Sequence, residues 1–576
     1  MKLLFRLPLW FCLLGTMSVA LPARADPGTV YWMSPRSGTV IDRQVAAEIG
    51  KRADVVIVGA GGKELGAIVA RLKESTRKPV LSYAWATRFP EKGRVEADIF
   101  RGLDYGNPVA GFKDAANGNV EFLDVTNPEL RSRIVGRLMA AKRDLGVDGF
   151  ALDLSTRTPL TRPAPLAKRC QQEAAFCDRY ANGVDALFAD LRRALGSNGM
   201  FVYNGLYNFR PGQIQDQARL LASADSAAIE YFGLDPNEKT HSFTHDIQPF
   251  LQAIPTLPPN KSVMFFGRGP WAYSSYAEDY RWQRYLYASF LLAARDNDLF
   301  QYLATFQVPS TKGRAGGLAY YSDWNVKLGA ARGPASSGHG LYMREFAGGM
   351  VVVSPDDGQG GVIGLTRTFF TPEGESLQGN VRLATGDSLI LLNSRLDRPA
   401  RHEVKAATMA GWRWSNATLA GTSLQLQPLP ANQVGEHDLL LDYERSSLPY
   451  DRLEIDARLA GSGAMLAVAE VDDPKKEYMY VMFAIGGNAR GAGMTLAEPA
   501  PFRSAAVKSR GDLWPMLTDD RLPAQGPLVL DGSKLLEGSG YEFRRWTHLR
   551  LLGPLSISQV ALSAPKAMPA RGAGPR

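Results

Sequence analysis

Short apolar runs alternate with amphipathic stretches over the first half of the chain. The clearest run reads G-V-D-G-F-A-L-D-L at positions 146–154, and Gly149–Leu152 within it predicts a strand covered on both faces. A helix pattern precedes this strand. It is opened by Asn127 as N-cap and by Pro128 at the first helical position, and it is closed by Gly146.

Strands of this kind alternate with helices, which predicts a (β/α)8 TIM barrel over residues 26–335. The eight predicted strands are Thr29–Ser34, Asp54–Val58, Pro79–Ala84, Glu121–Asp124, Gly149–Leu152, Met200–Asn204, Ser226–Tyr231 and Ser262–Phe266. Besides the helix that Asn127 opens, helices are predicted at Ile41–Lys51, Glu64–Lys73 and Tyr276–Ala294.

The second half of the chain has a different pattern, with short β runs separated by Gly, Asp and Asn. Runs at Met350–Val353, Val362–Leu365 and Ser388–Leu392 predict a small β extension that packs on the barrel. Regularly spaced runs further on predict a separate β-sandwich, for which carbohydrate binding is a candidate role that the runs leave open. The predicted boundaries are 336–396 for the extension, 397–564 for the sandwich and 565–576 for a disordered tail.

The first 25 residues have the pattern of a cleavable secretory signal, with a positive start, the apolar run Leu7–Leu21 and an A-x-A site. We predict cleavage after Ala25 and a periplasmic or secreted protein. No later run approaches the length of a membrane span, so no stable membrane insertion is expected. The formal charge of +8 falls to about +5 without the signal, and no basic stripe predicts nucleic-acid binding.

Two cysteines, Cys170 and Cys177, remain after the signal is removed. In an oxidising compartment they are predicted to form a disulfide that closes a short loop. Two free thiols are the alternative. The spacings of a zinc site are absent, so no metal is predicted.

Polar and aromatic residues gather at the predicted carboxyl ends of the strands, the face where α/β barrels keep their chemistry. The acids are Asp124, Asp153 and Glu230, and the other residues are Trp32, Tyr83, Trp85, Tyr203, Asn204, Tyr231, Arg268 and Trp271. Glycoside hydrolysis needs one acid to protonate the glycosidic oxygen and a second carboxylate as base or nucleophile. The strand ends therefore predict a sugar-cleaving site that uses no cofactor.

Asp153 and Glu230 are the predicted catalytic pair, because an acid at the end of an apolar strand is costly to bury unless it is paired. Asp124 is predicted to orient a sugar hydroxyl or the catalytic acid, with capping of the next helix as the alternative. The remaining residues are predicted to bind substrate. Packing at the barrel rim is the alternative for Trp85, Tyr203 and Trp271.

Three motifs carry a resemblance to a known group: F-L-D-V-T-N-P-E at 122–129, G-V-D-G-F-A-L-D at 146–153 and Y-M-R-E-F-A-G-G-M-V-V-V-S-P at 342–355. Together they resemble the exported barrel glycoside hydrolases related to endo-α-1,4-polygalactosaminidases. The resemblance covers about residues 29–393. It implies cleavage within a polysaccharide, and an exopolysaccharide that contains amino sugars is one candidate substrate. It also implies that Asp153 and Glu230 are the catalytic acids. The chain departs from the group at Leu154, where Asn is usual, and in the long loop that carries the cysteines.

A polysaccharide is therefore the expected partner, and two other functions compete with hydrolysis. The first is a non-catalytic polysaccharide-binding protein that reuses the barrel, since a fold does not fix a function. The second is a polymer-modifying enzyme such as a deacetylase, which the lack of a metal-binding His cluster disfavours. The sugar, the linkage and the stereochemical outcome stay open at this point.

Overall fold

The computed structural model describes the chain in segments. These are 26–33, 43–59, 65–89, 113–114, 120–123, 125–153, 155–157, 172–207, 212–234, 241–269, 276–303, 320–396, 401–404, 417–420, 423–426, 437–440, 444–445, 451–459, 464–472, 480–485, 516–518, 525–538, 540, 542–552 and 555–563. Of the site candidates, cysteines and motif departures discussed above, Asp124, Leu154, Cys170 and Trp271 lie outside them.

The N-terminal region alternates strands and helices. Its strands are β1 (Gly28–Met33), β2 (Val55–Val58), β3 (Val80–Trp85), β4 (Arg88–Phe89), β5 (Lys113–Asp114), β6 (Val120–Phe122), β7 (Gly149–Asp153), β8 (Met200–Asn204), β9 (Ser226–Phe232), β10 (Ser262–Arg268) and β11 (Leu299–Leu303). Its helices are α1 (Arg43–Arg52), α2 (Leu65–Ser75), α3 (Pro128–Leu145), α4 (Ala174–Leu195), α5 (Gln213–Ala218), α6 (Gln248–Ala253) and α7 (Tyr276–Ala293). Single 3-10 or π turns occupy Arg219–Ala222, Phe243–Ile247 and Ile254–Thr256.

Eight parallel strands close into a barrel in the order β1-β11-β10-β9-β8-β7-β3-β2. The predicted (β/α)8 fold is confirmed, but one of its predicted strands is wrong. The run predicted at Glu121–Asp124 corresponds to β6, which pairs with β4 and β5 in a separate small sheet. The barrel is closed instead by β11, which was not predicted. As a result, β7 and β9 are the fourth and sixth barrel strands, separated by β8.

The helix before β7 forms as its end signals predict. The Asn127 side chain accepts a 2.9 Å hydrogen bond from the backbone N–H of Glu129, which satisfies one of the free donors of the first turn. Gly146 takes the left-handed conformation with φ 70° and ends the helix. Gly149 at the start of β7 is required by space, since a Cβ there would lie 1.6 Å from the carbonyl oxygen of Met200.

Side chains alternate between the inside of the barrel and the helix layer, as the strand period requires. The interior holds a small apolar cluster made of Val30, Val55, Ile57, Leu81, Ala151, Val202, Ala228, Met264, Phe266 and Leu299. The positions two residues further along β7, β8 and β9 are Asp153, Asn204 and Glu230. The strand period thus places these three polar side chains above the interior cluster, at the carboxyl end of the barrel.

The next region consists of β12 (Tyr320–Tyr321), a 3-10 turn at Ser322–Asn325 and one antiparallel sheet. The sheet strands are β13 (Ser336–Gly338), β14 (Leu341–Phe346), β15 (Gly349–Val353), β16 (Gly361–Phe370), β17 (Ser376–Leu383) and β18 (Ser388–Leu392). Phe346, Val351 and Leu392 share one apolar core with the barrel, so this extension sheet packs on the barrel as predicted.

Arg344 on β14 explains part of the motif at 342–355. Its guanidinium donates to the carbonyl oxygens of Leu291 at 2.9 Å and Ala294 at 2.7 Å, at the C-terminus of α7. A cation in this position satisfies free carbonyls and complements the helix dipole. A second hydrogen bond connects the extension sheet to the barrel. Asp356, in the turn after β15, accepts a 2.7 Å hydrogen bond from the backbone N–H of Phe243.

The C-terminal region is built of β-strands and one short helix. Its strands are β19 (Arg401–Val404), β20 (Ala417–Ala420), β21 (Ser423–Leu426), β22 (His437–Leu440), β23 (Glu444–Arg445), β24 (Arg452–Leu459), β25 (Ala464–Asp472), β26 (Tyr480–Ile485), β27 (Met516–Thr518), β28 (Gln525–Asp531), β29 (Glu542–Leu552) and β30 (Leu555–Ser563), with helix α8 at Gly532–Leu535.

Two sheets account for most of these strands, in the orders β20-β21-β30-β24-β28 and β22-β29-β25-β26-β27. Residues of both sheets, such as Ile455 and Trp546, enter one apolar core, which is the arrangement of a sandwich. β23 instead pairs with β12 in parallel, which joins this region to the chain that follows the barrel. The predicted domain limits at 335, 396 and 564 stay predictions. No helix among the described residues is long and apolar enough to cross a membrane.

Candidate active site

The site is centred on the amide of Asn204 at the end of β8. Its Nδ2 atom donates one hydrogen bond to Asp153 Oδ1 and another to Glu230 Oε2, each 2.7 Å long. Asp153 is 7% exposed and Asn204 is 6% exposed, so both lie deep in the barrel mouth. The structure therefore brings together the two acids predicted to form the catalytic pair.

Glu230 is held by a cation as well as by the amide. Its Oε1 atom accepts a 2.8 Å hydrogen bond from Arg268 Nη2 at the end of β10, and the pair is largely shielded from solvent. The Arg268 guanidinium also lies over the Tyr231 ring, 4.7 Å from its centroid. Partial burial strengthens this ion pair relative to one on the open surface.

A bulge in β9 explains why both Glu230 and Tyr231 reach this region. While β10 advances from Phe265 to Gly267, β9 advances from Ile229 to Phe232, so β9 carries one extra residue. A bulge of this kind bends the strand and re-aims the side chains next to it. The two consecutive residues can therefore both interact with Arg268.

Asp153 is contacted from the other side by aromatic residues of β3 and β1. The Tyr83 hydroxyl donates a short hydrogen bond to Asp153 Oδ2, and Trp85 Nε1 donates to the same hydroxyl at 3.0 Å. The Trp32 ring stacks on Tyr83 with centroids 5.4 Å apart. Gln301 on β11 accepts a 2.7 Å hydrogen bond from the Trp32 backbone N–H and so holds that strand end.

The two tyrosines of the site stay protonated at any physiological pH. Burial, followed by the charges of Asp153 and Glu230, raises the pKa of Tyr83 well above its usual range. Burial, followed by the charge of Glu230, raises the pKa of Tyr231 to about 12. Both phenols are therefore hydrogen-bond donors beside the carboxylates, and neither acts as a base.

The chain after β7 is fixed by a buried arginine. Arg157 is 4% exposed, and its Nε atom lies 2.7 Å from Asp185 Oδ1 on α4. The same guanidinium pairs with Asp216 on α5, and its backbone N–H donates to Gln217. Because the charges are paired and hydrogen-bonded, this buried cation anchors the segment directly behind Asp153.

Not every predicted site residue faces the cleft. Tyr203 is fully buried in the helix layer, where its hydroxyl donates to the Gln217 carbonyl oxygen at 2.7 Å, so its role is packing rather than sugar binding. Asp124 and Trp271 lie outside the described residues, and their roles stay predictions. Cys177 is disulfide-bonded, but Cys170 lies outside the described residues, so their pairing also stays a prediction.

Two residues of the site were missed. Gln301 belongs to β11, the strand that was not predicted. Tyr207 lies just beyond β8, and its hydroxyl donates to Asn204 Oδ1 at 3.3 Å. The signal that could have indicated β11 is the five-residue run L-F-Q-Y-L after the turn at 295–298. Among the described residues no cluster of His, Cys, Asp and Glu has the geometry of a metal site.

The comparisons with known proteins agree with this reading of the barrel. Residues 122–350 match the family model described as hypothetical glycosyl hydrolase family 15. The match covers part of the chain, and over that part the chain is similar to glycoside hydrolases, in agreement with the barrel fold. The matched stretch contains Asp153, Asn204, Glu230 and Arg268 and the first part of the motif at 342–355, and it begins after the aromatic residues of β1 and β3. No curated protein matches the sequence.

Solved structures give weaker similarities. The Aspergillus fumigatus protein Ega3 in complex with galactosamine is 15% identical, with 44% of this chain and 82% of that chain covered and a TM-score of 0.28. The Arthrobacter globiformis isomalto-dextranase complexed with panose is 10% identical, with coverage of 95% and 100% and a TM-score of 0.37. The type III pullulan hydrolase from Thermococcus kodakarensis is 13% identical, with coverage of 64% and 76% and a TM-score of 0.38. These values are too low to indicate a substrate.

Proposed function

We propose that this protein is an exported glycoside hydrolase that cleaves bonds within a polysaccharide, with Asp153 and Glu230 as its catalytic carboxylates. The observation that carries the proposal is the amide nitrogen of Asn204, which contacts both carboxylates at 2.7 Å. Two acids at neighbouring positions in a barrel mouth, with aromatic side chains around them, are what glycosidic cleavage requires.

The spacing of the two acids supports a retaining mechanism. Because one nitrogen reaches both, the nearest carboxylate oxygens lie at most twice 2.7 Å apart. Retaining enzymes place their carboxyl groups about 5–5.5 Å apart, and inverting enzymes about 6.5–9.5 Å apart to admit a water molecule. In the proposed reaction one acid protonates the glycosidic oxygen while the other attacks the anomeric carbon. Water then hydrolyses the glycosyl-enzyme ester, and the first residue acts as base.

The substrate class proposed here is an exopolysaccharide that contains amino sugars. The motif resemblance to polygalactosaminidase-like enzymes supports this class and also supports internal cleavage. Trp32 and Tyr83 offer stacked aromatic rings for the apolar face of a sugar ring.

The test is to incubate the purified protein with intact polymers, including partly deacetylated galactosaminan, and to follow new reducing ends and product size. Internal cleavage gives a ladder of oligomers from the first minutes. The matched control is the double variant Asp153→Asn/Glu230→Gln, which keeps the shape of the site and removes both charges. Polymer binding without new reducing ends would favour the non-catalytic alternative.

Three further measurements test the proposal. The NMR spectrum of the first anomeric product should show the configuration of the substrate if the mechanism is retaining. Azide added to Asp153→Ala and Glu230→Ala should rescue both, with inverted product from the nucleophile variant and retained product from the acid variant. Export predicts that the protein recovered outside the cytoplasm begins at Asp26.

A further inference from the structure

The Asn204 amide oxygen accepts a hydrogen bond from a residue just beyond β8. Tyr207 is 4% exposed, and its hydroxyl donates a 3.3 Å hydrogen bond to Asn204 Oδ1. An amide has one accepting and one donating end. With its oxygen facing Tyr207, Asn204 presents only its N–H groups to Asp153 and Glu230. The opposite orientation would set a carbonyl oxygen against two carboxylate oxygens.

The backbone after β8 is shaped to bring Tyr207 to this place. The N–H groups of Gly205 and Leu206 both donate to the carbonyl oxygen of Ala228 on β9, at 3.4 and 3.2 Å. The Tyr207 N–H then donates to the Gly205 carbonyl oxygen at 3.0 Å, which turns the chain tightly. A Cβ on Gly205 would lie 3.0 Å from the Ser155 carbonyl oxygen, so this turn also packs closely on the segment after β7.

We propose that Tyr207 is a positioning residue for the carboxylate pair, and that it acts through Asn204 by holding the amide nitrogen between Asp153 and Glu230. The inference rests on the proposed function and adds a residue that the sequence did not indicate. The shared amide fixes the two acids relative to each other, because one carboxyl oxygen of each accepts a hydrogen bond from the same nitrogen.

Within the described segments, the other titratable and charged groups around the pair include Tyr83 on β3, Tyr231 on β9 and Arg268 on β10. We expect them to keep their positions when Tyr207 or Asn204 is changed. A change in the pH dependence of catalysis in those variants would therefore reflect the loss or reorientation of the Asn204 amide donor. With the donor lost or turned away, the ionised carboxylates are less stable, so the pH profile of kcat/KM moves to higher pH.

The experiment compares Tyr207→Phe, Asn204→Ala and the double variant on a cleaved polymer. Tyr207→Phe should lower kcat about three- to tenfold with KM little changed, and Asn204→Ala should lower it about 10- to 100-fold. Both pH profiles should move up, by about one pH unit for Asn204→Ala. The double variant should be no slower than Asn204→Ala, because Tyr207 has no role once its target is gone.

The matched control is Tyr203→Phe, which removes a buried hydroxyl from the neighbouring position but on the helix side. It should leave kcat and the pH profile unchanged. Additive losses in the double variant, or an unshifted profile in Tyr207→Phe, would overturn the positioning role while leaving the hydrolase intact.

A measurement without substrate separates this inference from the proposed function. The stability lost in Asn204→Ala should be greater at pH 7 than at pH 3, because an amide N–H donates a stronger hydrogen bond to an ionised carboxylate than to a protonated one. Tyr207→Phe should show the same trend, and Tyr203→Phe a constant difference. Unfolding midpoints across this pH range test it even if no polymer is cleaved. A pH-independent difference in all three variants would contradict the role of Tyr207.

Discussion

Arg268 Nη2 donates a 2.8 Å hydrogen bond to Glu230 Oε1, and both side chains are shielded from solvent by the barrel mouth. Removing one partner of such a pair leaves the other charge partly buried and unpaired. Substitution of Arg268 is therefore expected to affect Glu230 directly.

We expect Arg268→Met to lower kcat about 10- to 100-fold with the fold retained, because Glu230 loses its cation and its orientation. Arg268→Lys keeps the charge but not the planar guanidinium that stacks on Tyr231, so its loss should be intermediate. Initial rates and thermal midpoints of both variants check this order. Near-wild-type turnover by Arg268→Met would show that the ion pair is not needed.

Tyr83→Phe should lower kcat about tenfold or more, because Asp153 loses the hydroxyl that donates to it. Tyr31 on β1 supplies the matched control. Its hydroxyl is buried and finds no partner among the described residues. Tyr31→Phe should therefore leave kcat unchanged and stabilise the protein by about 1 kcal/mol. Equal rate losses in the two variants would point to a general packing defect.

Two glycines give a stability test of the barrel. Gly149→Ala places a Cβ 1.6 Å from the Met200 carbonyl oxygen, so β7 and β8 cannot keep their pairing. We expect a loss of about 4 kcal/mol or more, or an insoluble product. Gly136 on α3 has no atom within 4 Å of the added Cβ, and Gly136→Ala should stabilise by about 0.5–1 kcal/mol. Urea unfolding of both variants measures the contrast, and a mild effect of Gly149→Ala would contradict the strand packing.

His241 should make stability depend on pH. Its ring stacks on Trp282 with centroids 4.2 Å apart, and burial lowers the pKa of His241 to about 4. The unfolded chain takes up this proton near pH 6.5 and the folded chain only near pH 4, so stability falls as the pH drops through that window. The shift corresponds to at most about 3 kcal/mol.

His241→Phe keeps the stack and removes the titration, so its unfolding free energy should fall less between pH 7 and pH 4. His339→Asn is the control, since His339 is exposed in a turn with φ 53°, a conformation that Asn tolerates. If His241→Phe loses as much stability as the wild type over this range, His241 does not carry the effect.

Asp153 and Glu230 could be found by looking for polar residues at the carboxyl ends of predicted barrel strands. This search succeeds because the position and end of each strand can be predicted from its local sequence. The same period, applied strictly, would have turned Tyr203 to the helix side, since Asn204 beside it faces the cleft. Tyr231 breaks the period because of the bulge in β9, which no local pattern reveals.

One strand of the barrel was assigned wrongly for a similar reason. The run at 121–124 follows a loop and precedes a helix as a barrel strand would, but β6, at Val120–Phe122, pairs with β4 and β5 instead. The shared contacts of Asn204 also lay beyond the sequence, because they depend on distances between side chains of three different strands. Pairings of this kind are set by the closed barrel and not by any one segment.

The number of residues in β9 matters for the proposed site, because the extra residue lets both Glu230 and Tyr231 reach Arg268. Deleting a single residue at the bulge would restore an ordinary register with β10 and would turn either Glu230 or Tyr231 away from Arg268. We expect the deletion of one residue here to lower the proposed activity as much as the substitution of a catalytic acid would. Substitutions along β9 are therefore expected to disturb the position of Glu230 less than the deletion of one residue does.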